Sequence, residues 1–401
     1  MMDLSPALPR AALSRTMTVL LAGADSSRLH ELTARMCKPA LPLFATHKGP
    51  LRIVDFAMAN AVRSGLPRMI AATQCHAETL EAHLERRWAP LFPGAELLIR
   101  NGSAVRGAGG YRGSADAVAA NLALIDAAAP DEVLVLPGDQ IYQMDYSALI
   151  AAHRESGAMV TLAVHRLPVD QARDYQVVPA APGGKIIDHD DRFSRPAEDP
   201  DQAGQAVVSM GVLVFDWAWL RNMVTTSGAK LDFGRDILAV AVAAGLAMAY
   251  PLPALPGQPA PYWRDVGTLD SLRQTMLEFS NGVPCHVPVL PGAPFRLAGM
   301  QPDLVGSLAA EGLSRTQSAA LPGAWIMPGA RLERAIIAPG TSVPADLEVG
   351  VDAAEDARWF RRTEAGTVLV TNAMLARRAG RAFGGLRGPL LRAFDLPSIA
   401  C

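Results

Sequence analysis

Short, unbroken apolar runs alternate along the first two thirds of the chain with stretches of helical spacing. Thr18-Val19-Leu20-Leu21-Ala22, Met69-Ile70-Ala71-Ala72, Val133-Leu134-Val135-Leu136, Val160–His165 and Val207–Phe215 are the apolar runs. Each lacks a polar alternation, which predicts strands covered on both faces, as in a parallel sheet. Between them, Ile53, Phe56, Ala57 and Ala61 recur at helical spacing and predict a helix that Gly65 ends. Further helices are predicted near Glu78–Trp88, from Ser114 to about Ala128, near Ser147–Ser156, and from Asp232 to about Ala244. Strand, helix and strand in succession make βαβ units with right-handed crossovers, so the fold class is α/β with a mostly parallel, Rossmann-like sheet.

The pattern changes downstream. Residues 283–322 are rich in Pro, Gly and Ala without a clear period and read as a linker. Ile326, Leu332, Ile336, Ile337 and Val343 then recur near every six residues, with Pro-Gly corners at Pro328-Gly329 and Pro339-Gly340. That spacing predicts coils of a β-helix. About two coils are too few to fold alone, so they must lean on another part of the assembly. The expected organisation is a leader at 1–15, an α/β domain at 16–282, the linker at 283–322, a short β-helix at 323–375 and a tail at 376–401 that is rich in arginine. Residues 92–113, rich in Gly and poor in pattern, read as a mobile loop beside the site.

Composition narrows the functional classes. Of the 401 residues, 37 are Lys or Arg and 39 are Asp or Glu, so nothing argues for nucleic acid or an acidic membrane as partner. The lysines are Lys38, Lys48, Lys185 and Lys230, which gives weight to any lysine at a motif position. Cys37, Cys75, Cys285 and Cys401 form no CxxC pair, so neither a zinc site nor a disulfide framework is expected, and a reducing cytoplasm is the default compartment. Met17 to Gly23 makes a better first strand than a signal segment, and no stretch is long and apolar enough to span a bilayer.

Candidate chemistry gathers at strand ends. Val133–Leu136 runs into Pro137-Gly138-Asp139, which delivers one carboxylate to the rim of the sheet, where open α/β sheets bind ligands. A turn cap is the competing role for Asp139. The first strand ends in Gly23-Ala24-Asp25-Ser26-Ser27-Arg28-Leu29, a turn of small residues suited to phosphate but without the GxxxxGK[ST] pattern. Ser114 is placed to N-cap the helix that follows it, leaving backbone N–H groups for an anion. Tyr262-Trp263-Arg264-Asp265-Val266-Gly267-Thr268 supplies a second acid, with a helix N-terminal anchor as the alternative.

Taken together, LLAGADSSRLHELT, KPALPL, LRIVDFAMAN, YRGSADAV, GDQIYQMDY, SMGVLVFD, LDFGRDI, PYWRDVGTLDS and DAAEDARWFRRTEAGTVLVTNAML resemble, in order and over nearly the whole chain, the bacterial glucose-1-phosphate adenylyltransferase family. The resemblance implies a GT-A-like nucleotidyltransferase domain followed by a left-handed β-helix. It implies a cytoplasmic homotetramer that makes ADP-glucose and pyrophosphate from ATP and glucose 1-phosphate for glycogen synthesis, with Mg²⁺ as cofactor. It implies that Asp139 and Asp265 hold the metal and that Arg28 and Lys38 act with Asp139 on the triphosphate. Gly23, Ala24, Gln74, Gly113, Ser114 and Ala115 match the nucleotide positions. Tyr111, Gln176, Ser194, Arg195 and Ser209 match the glucose 1-phosphate positions. A phosphorylated effector is implied at Arg35, Arg52, Arg358 and Arg362.

The chain departs from the family pattern inside the site. GGxGTRL is Gly23-Ala24-Asp25-Ser26-Ser27-Arg28-Leu29, EKP is Ser194-Arg195-Pro196, and FG is Tyr175-Gln176. The expected activity is therefore weighed against two others. One is a weakly active or inactive paralogue that regulates a standard enzyme in a hetero-oligomer. The other is a sugar-1-phosphate nucleotidyltransferase of altered specificity. A hexapeptide acyltransferase is disfavoured, because the β-helix is too short to build a site between coils.

Overall fold

The computed structural model describes residues 8–23, 26–46, 49–92, 96–188, 198–199, 202–226, 231–254, 260–280 and 315–382. Among them the chain forms two compact units. The first holds the segments up to Ala24 and Val54–Trp263; the second holds Asp25–Ile53 and everything from Arg264 on.

The first unit is built on a seven-stranded sheet. Its strands are β1 (Thr16–Leu21), β2 (Met69–Thr73), β3 (Leu97–Asn101), β4 (Glu132–Pro137), β5 (Val160–Pro168), β6 (Gln205–Asp216) and β7 (Ala247–Pro251). In space the order is β7-β5-β6-β4-β1-β2-β3. β1 pairs in parallel with β2 and β4, and β2 with β3, while β6 runs antiparallel to both of its neighbours. The sheet is mostly parallel, as the apolar runs require. Val19, Val133, Val135, Val160, Leu162 and Phe215 are buried in one core cluster.

Two buried carboxylates inside this unit are paired. Glu132 sits opposite Thr16 in the register, accepts a hydrogen bond from its hydroxyl, and meets Arg154 Nη2 at 2.7 Å. Asp55, fully buried in the helix Val54–Arg63, lies 2.6 Å from His83 Nε2 and accepts from Trp88 Nε1 at 2.6 Å. Unpaired, a buried carboxylate of this kind would cost several kcal/mol.

Two readings change here. Residues 92–113 are not one irregular loop: β3 extends the sheet at its edge, and a helix follows at Gly102–Arg106. Glycines around β3 and the exposed Leu98 hide an edge strand that is buried on one face only. The helix expected from Ser114 starts at Asp116 and breaks at Ala120-Asn121 before resuming at Leu122–Ala128.

In the second unit, short strands form three parallel ladders. Each strand pairs with the one seventeen residues on: Arg315 with Leu332, Ala319 with Ile336, Trp325 with Ser342. Three strands per turn of chain is the β-helix that the six-residue period predicts. Among the described residues the ladder runs from Arg315 on. A helix at Ala353–Trp359 interrupts the coiling before Val368–Val370 rejoins it. The coils lean on the helix Leu269–Ser280: Arg273, nearly buried, donates to Thr367 Oγ1 at 2.9 Å and to the Gln317 carbonyl at 3.0 Å. The tail is helical over Asn372–Ala382. No helix among the described residues is long and apolar enough to cross a membrane.

Candidate active site

In an open α/β sheet, ligands bind beyond the strand ends at the point where strand order reverses. Here β1, β2 and β3 run outward in one direction, and β4 returns to the other side of β1. The crevice therefore lies past the ends of β1 and β4, where Leu21 is paired with Pro137. Gly138 donates to the Leu21 carbonyl at 2.9 Å, which carries the pairing one residue further and brings Asp139 to the rim. Gly23 sits at the end of β1; a Cβ there would stand 2.8 Å from Gln74 Cβ. That close approach is the reason for glycine.

Gln74, just past β2, grips the peptide of Tyr111. Its Oε1 accepts from Tyr111 N at 2.6 Å, and its Nε2 donates to the Tyr111 carbonyl at 3.4 Å. Methyl groups at Gly102 and Gly110 would each stand within 2.7 Å of its amide, so glycine at these two positions lets the chain close around this side chain. The Tyr111 hydroxyl is also engaged, donating to the Arg100 carbonyl at 2.9 Å, and burial raises its pKa.

Ser114 does not cap the helix that follows. Ala115 holds the N-cap position with no side-chain bond. The Ser114 hydroxyl instead donates to Asp232 Oδ2 at 2.8 Å and accepts from Phe233 N at 2.9 Å, while Ala115 N donates to the Leu231 carbonyl at 3.0 Å. Asp232 in turn caps its own helix through Gly234 N and Arg235 N. The turn Gly113–Ala115 is thus fastened to a partner more than a hundred residues away, a bond that local sequence rules cannot reveal.

Gln176 and Ser209 lie together: Ser209 N donates to the Gln176 carbonyl at 2.9 Å, and the Gln176 amide nitrogen would stand 3.0 Å from a Cβ on Gly234. Beside them is an aromatic group the sequence reading did not assemble. Trp263 meets Tyr175 edge-on with centroids 5.2 Å apart and His165 at 5.8 Å, and its Nε1 donates to Gln140 Oε1 at 2.9 Å. Trp263 itself is 1% exposed, so these rings pack together as core beneath the site.

Within the second unit, Arg28, Lys38 and Asp265 come together around Gly267. Lys38 is 4% exposed and its Nζ lies 2.6 Å from Asp265 Oδ1. A Cβ on Gly267 would stand 2.9 Å from Arg28 Nη2 and 3.3 Å from Asp265 Oδ2. Two cations beside one carboxylate is a setting for a polyanion. Asp139, in the first unit, and Asp265, in the second, each carry carboxylate oxygens, the hard donor type that divalent ions take. Among the described residues no group of three or more His, Cys, Asp and Glu side chains gathers to hold a metal. Ala24, Asp25, Ser194 and Arg195 lie outside the described residues.

The effector candidates separate. Arg362 lines a cleft of about 280 Å³ with Glu31, Ala357, Phe360, Arg361, Met374 and Arg377. Arg52 donates to the Ala40 carbonyl, Arg358 lies over the Trp359 ring at 5.0 Å, and Arg35 is exposed. Arg361 and Arg377 bring the guanidiniums along this cleft to three.

The nucleotidyl transferase family model matches residues 17–281, and the GlmU-like, C-terminal hexapeptide model matches residues 309–370. A glucose-1-phosphate adenylyltransferase of Jannaschia sp. (strain CCS1) is 34% identical, over 91% of this chain and 97% of its own length. The Cereibacter sphaeroides enzymes of the same name, from strains ATCC 17029 and ATCC 17025, are each 32% identical over 92% and 94% of this chain and 98% and 99% of their own lengths. With the sheet, the strand-end carboxylate and the trailing β-helix in place, the chain belongs to the glucose-1-phosphate adenylyltransferase family of nucleotidyl transferases.

Proposed function

We propose that this chain transfers the adenylyl group of ATP to glucose 1-phosphate, giving ADP-glucose and pyrophosphate for glycogen synthesis in the cytoplasm. A phosphate oxygen of glucose 1-phosphate attacks the α-phosphorus of ATP. The new P–O bond forms as the bond to the oxygen bridging to the β-phosphate breaks, and pyrophosphate leaves. Attacking and leaving groups are both anions, so catalysis rests on alignment and charge neutralisation. Asp139 and Asp265 would hold Mg²⁺ through their carboxylates, and the ion would supply charge neutralisation on the phosphates.

Arg28 and Lys38 bind the triphosphate. Gly23, Ala24, Gln74 and the turn Gly113-Ser114-Ala115 form the nucleotide side. Gln74 and Ser114 act there as fasteners of backbone, since their polar atoms bond to Tyr111 and Asp232. Gln176, Ser194, Arg195, Ser209 and Tyr111 form the sugar phosphate side, with the half-buried Tyr175 beside Gln176. The cleft lined by Arg361, Arg362 and Arg377 takes a phosphorylated effector, and the β-helix supports a tetramer.

The observation that carries the reading is the convergence of Gly23 and Asp139 at the strand-order reversal. Purified protein with ATP, glucose 1-phosphate and Mg²⁺ is expected to release pyrophosphate, and Asp139→Asn to abolish the release. No release with any common nucleotide or sugar 1-phosphate, at high enzyme concentration, overturns the reading in favour of a regulatory paralogue.

A further inference from the structure

The segment Ser27–Leu32 carries Arg28 at one end and Glu31 near the other. Arg28 is the cation packed over Gly267 and Asp265. Glu31 faces the opposite way, into the arginine-lined cleft, where its carboxylate takes both arms of Arg361: Nε to Oε2 at 2.8 Å and Nη2 to Oε1 at 2.7 Å. Arg361 holds the Glu31 carboxyl below its ordinary pKa, so the pair is charged at working pH. Between the two lies His30 at φ 52, ψ −125, a conformation that side chains other than glycine's rarely adopt. Backbone of that kind persists only where its surroundings hold it. The ends are held by buried Leu29 and Leu32 and by Thr33 Oγ1 donating to the Ser26 carbonyl at 2.8 Å. The Glu31–Arg361 fork holds the middle.

The cleft therefore contains its own counter-charge. Three guanidiniums line it, and one of them is already occupied by a carboxylate from the segment that bears Arg28. We propose that Glu31 is a latch: an anion entering the cleft takes Arg361 from Glu31, the Ser27–Leu32 segment loosens at His30, and Arg28 loses its alignment for nucleotide. This rests on the reading that the cleft takes a phosphorylated ligand and that Arg28 meets the triphosphate. It adds which residue opposes that ligand and through which segment the effect travels. Glu31 and Arg361 are both partly exposed, and exposed ion pairs are weak, so the coupling is small: about three- to fivefold in affinity. A weak latch can be opened by a weak ligand.

The test uses the full chain, with inorganic phosphate as probe at constant ionic strength. Phosphate binding is measured by calorimetry. MgATP affinity is measured by equilibrium dialysis without glucose 1-phosphate, so that turnover plays no part. In the wild type, phosphate is expected to weaken MgATP binding about three- to fivefold. Glu31→Gln should bind phosphate several-fold more tightly, bind MgATP about three- to fivefold more weakly from the start, and lose any further response to phosphate. Arg361→Lys, which keeps the charge but loses the fork, should move MgATP affinity the same way and decides the matter if Glu31→Gln does not fold. Arg377→Ala tests the cleft itself. If it leaves the phosphate effect intact, phosphate acts elsewhere and the cleft reading fails along with the latch. If Arg377→Ala removes the effect while Glu31→Gln behaves like wild type, the cleft stands and the latch is overturned.

Discussion

Gly267→Ala should cost activity without costing stability. Gly267 does not adopt a positive φ, so alanine fits the backbone there, and removing a glycine restricts the unfolded chain by about 0.4–1 kcal/mol. The neighbouring cap, in which Thr268 Oγ1 accepts from Ser271 N at 3.1 Å, is untouched. The new methyl would stand 2.9 Å from Arg28 Nη2, whereas comfortable contact is roughly 3.5 Å. A flexible guanidinium can retreat that half-ångström, so folding hardly registers it. Alignment at a reacting centre does: about 1 Å of misplacement costs about a hundredfold in rate. The expected loss in kcat/KM is thus about tenfold, or about 1.4 kcal/mol of transition-state stabilisation. The assay is pyrophosphate release under saturating glucose 1-phosphate, run beside a urea titration. In an Arg28→Gln background the same alanine should cost nothing further, because the residue it displaces is gone. A full-rate Gly267→Ala enzyme, or one whose slow rate tracks a lower urea midpoint, would refute the argument.

Two further outcomes follow from the first unit. At Gly113 an added methyl meets backbone: its Cβ would stand 2.1 Å from the Leu231 carbonyl, so Gly113→Ala must part the turn from the Asp232 helix. A loss of about 1–3 kcal/mol in urea stability is expected together with a raised KM for ATP, the opposite signature to Gly267→Ala. His153 is buried against Thr161 Oγ1 at 2.8 Å, and burial lowers its pKa to about 4. Its folded value lies below its unfolded value, so the unfolded chain binds the extra proton and stability falls as pH drops from about 6.5 toward 4. Between pH 7 and pH 5 this one group should cost about 2 kcal/mol, a slope that His153→Gln flattens in paired urea titrations.

What was legible in the sequence was whatever depends on near neighbours. The central strands announce themselves because β1 and β4 are covered on both faces, and the Asp232 cap is readable because it serves its own helix. β3 escaped because one of its faces is open and glycines flank it. Ser114 was read as a local cap because its true partner, Asp232, is distant in sequence. The ring cluster around Trp263 draws on His165 and Tyr175 from separate elements, and the Glu31–Arg361 pair spans most of the chain. Motif reading found Arg28, Lys38, Asp139 and Asp265; what each touches was decided by topology.

The division of the chain into units gives those motifs a further meaning. β1 ends at the Gly23 turn, and the chain leaves the first unit at Asp25 and rejoins it at Val54. That excursion carries both Arg28 and Lys38, and it is compact with Asp265, the helix Leu269–Ser280 and the β-helix coils. Sequence order places these two cations in the opening βαβ unit, but their packing ties them to the C-terminal coils. The same unit that holds Arg28 and Lys38 also holds the arginine-lined cleft. A ligand in that cleft therefore has a short path to Arg28, through Glu31 and the strained His30, and needs no motion of the sheet to reach it. Two coils that would be too few to stand alone gain a second purpose in this arrangement: they give the excursion a surface to fold against, and with it a means of moving Arg28.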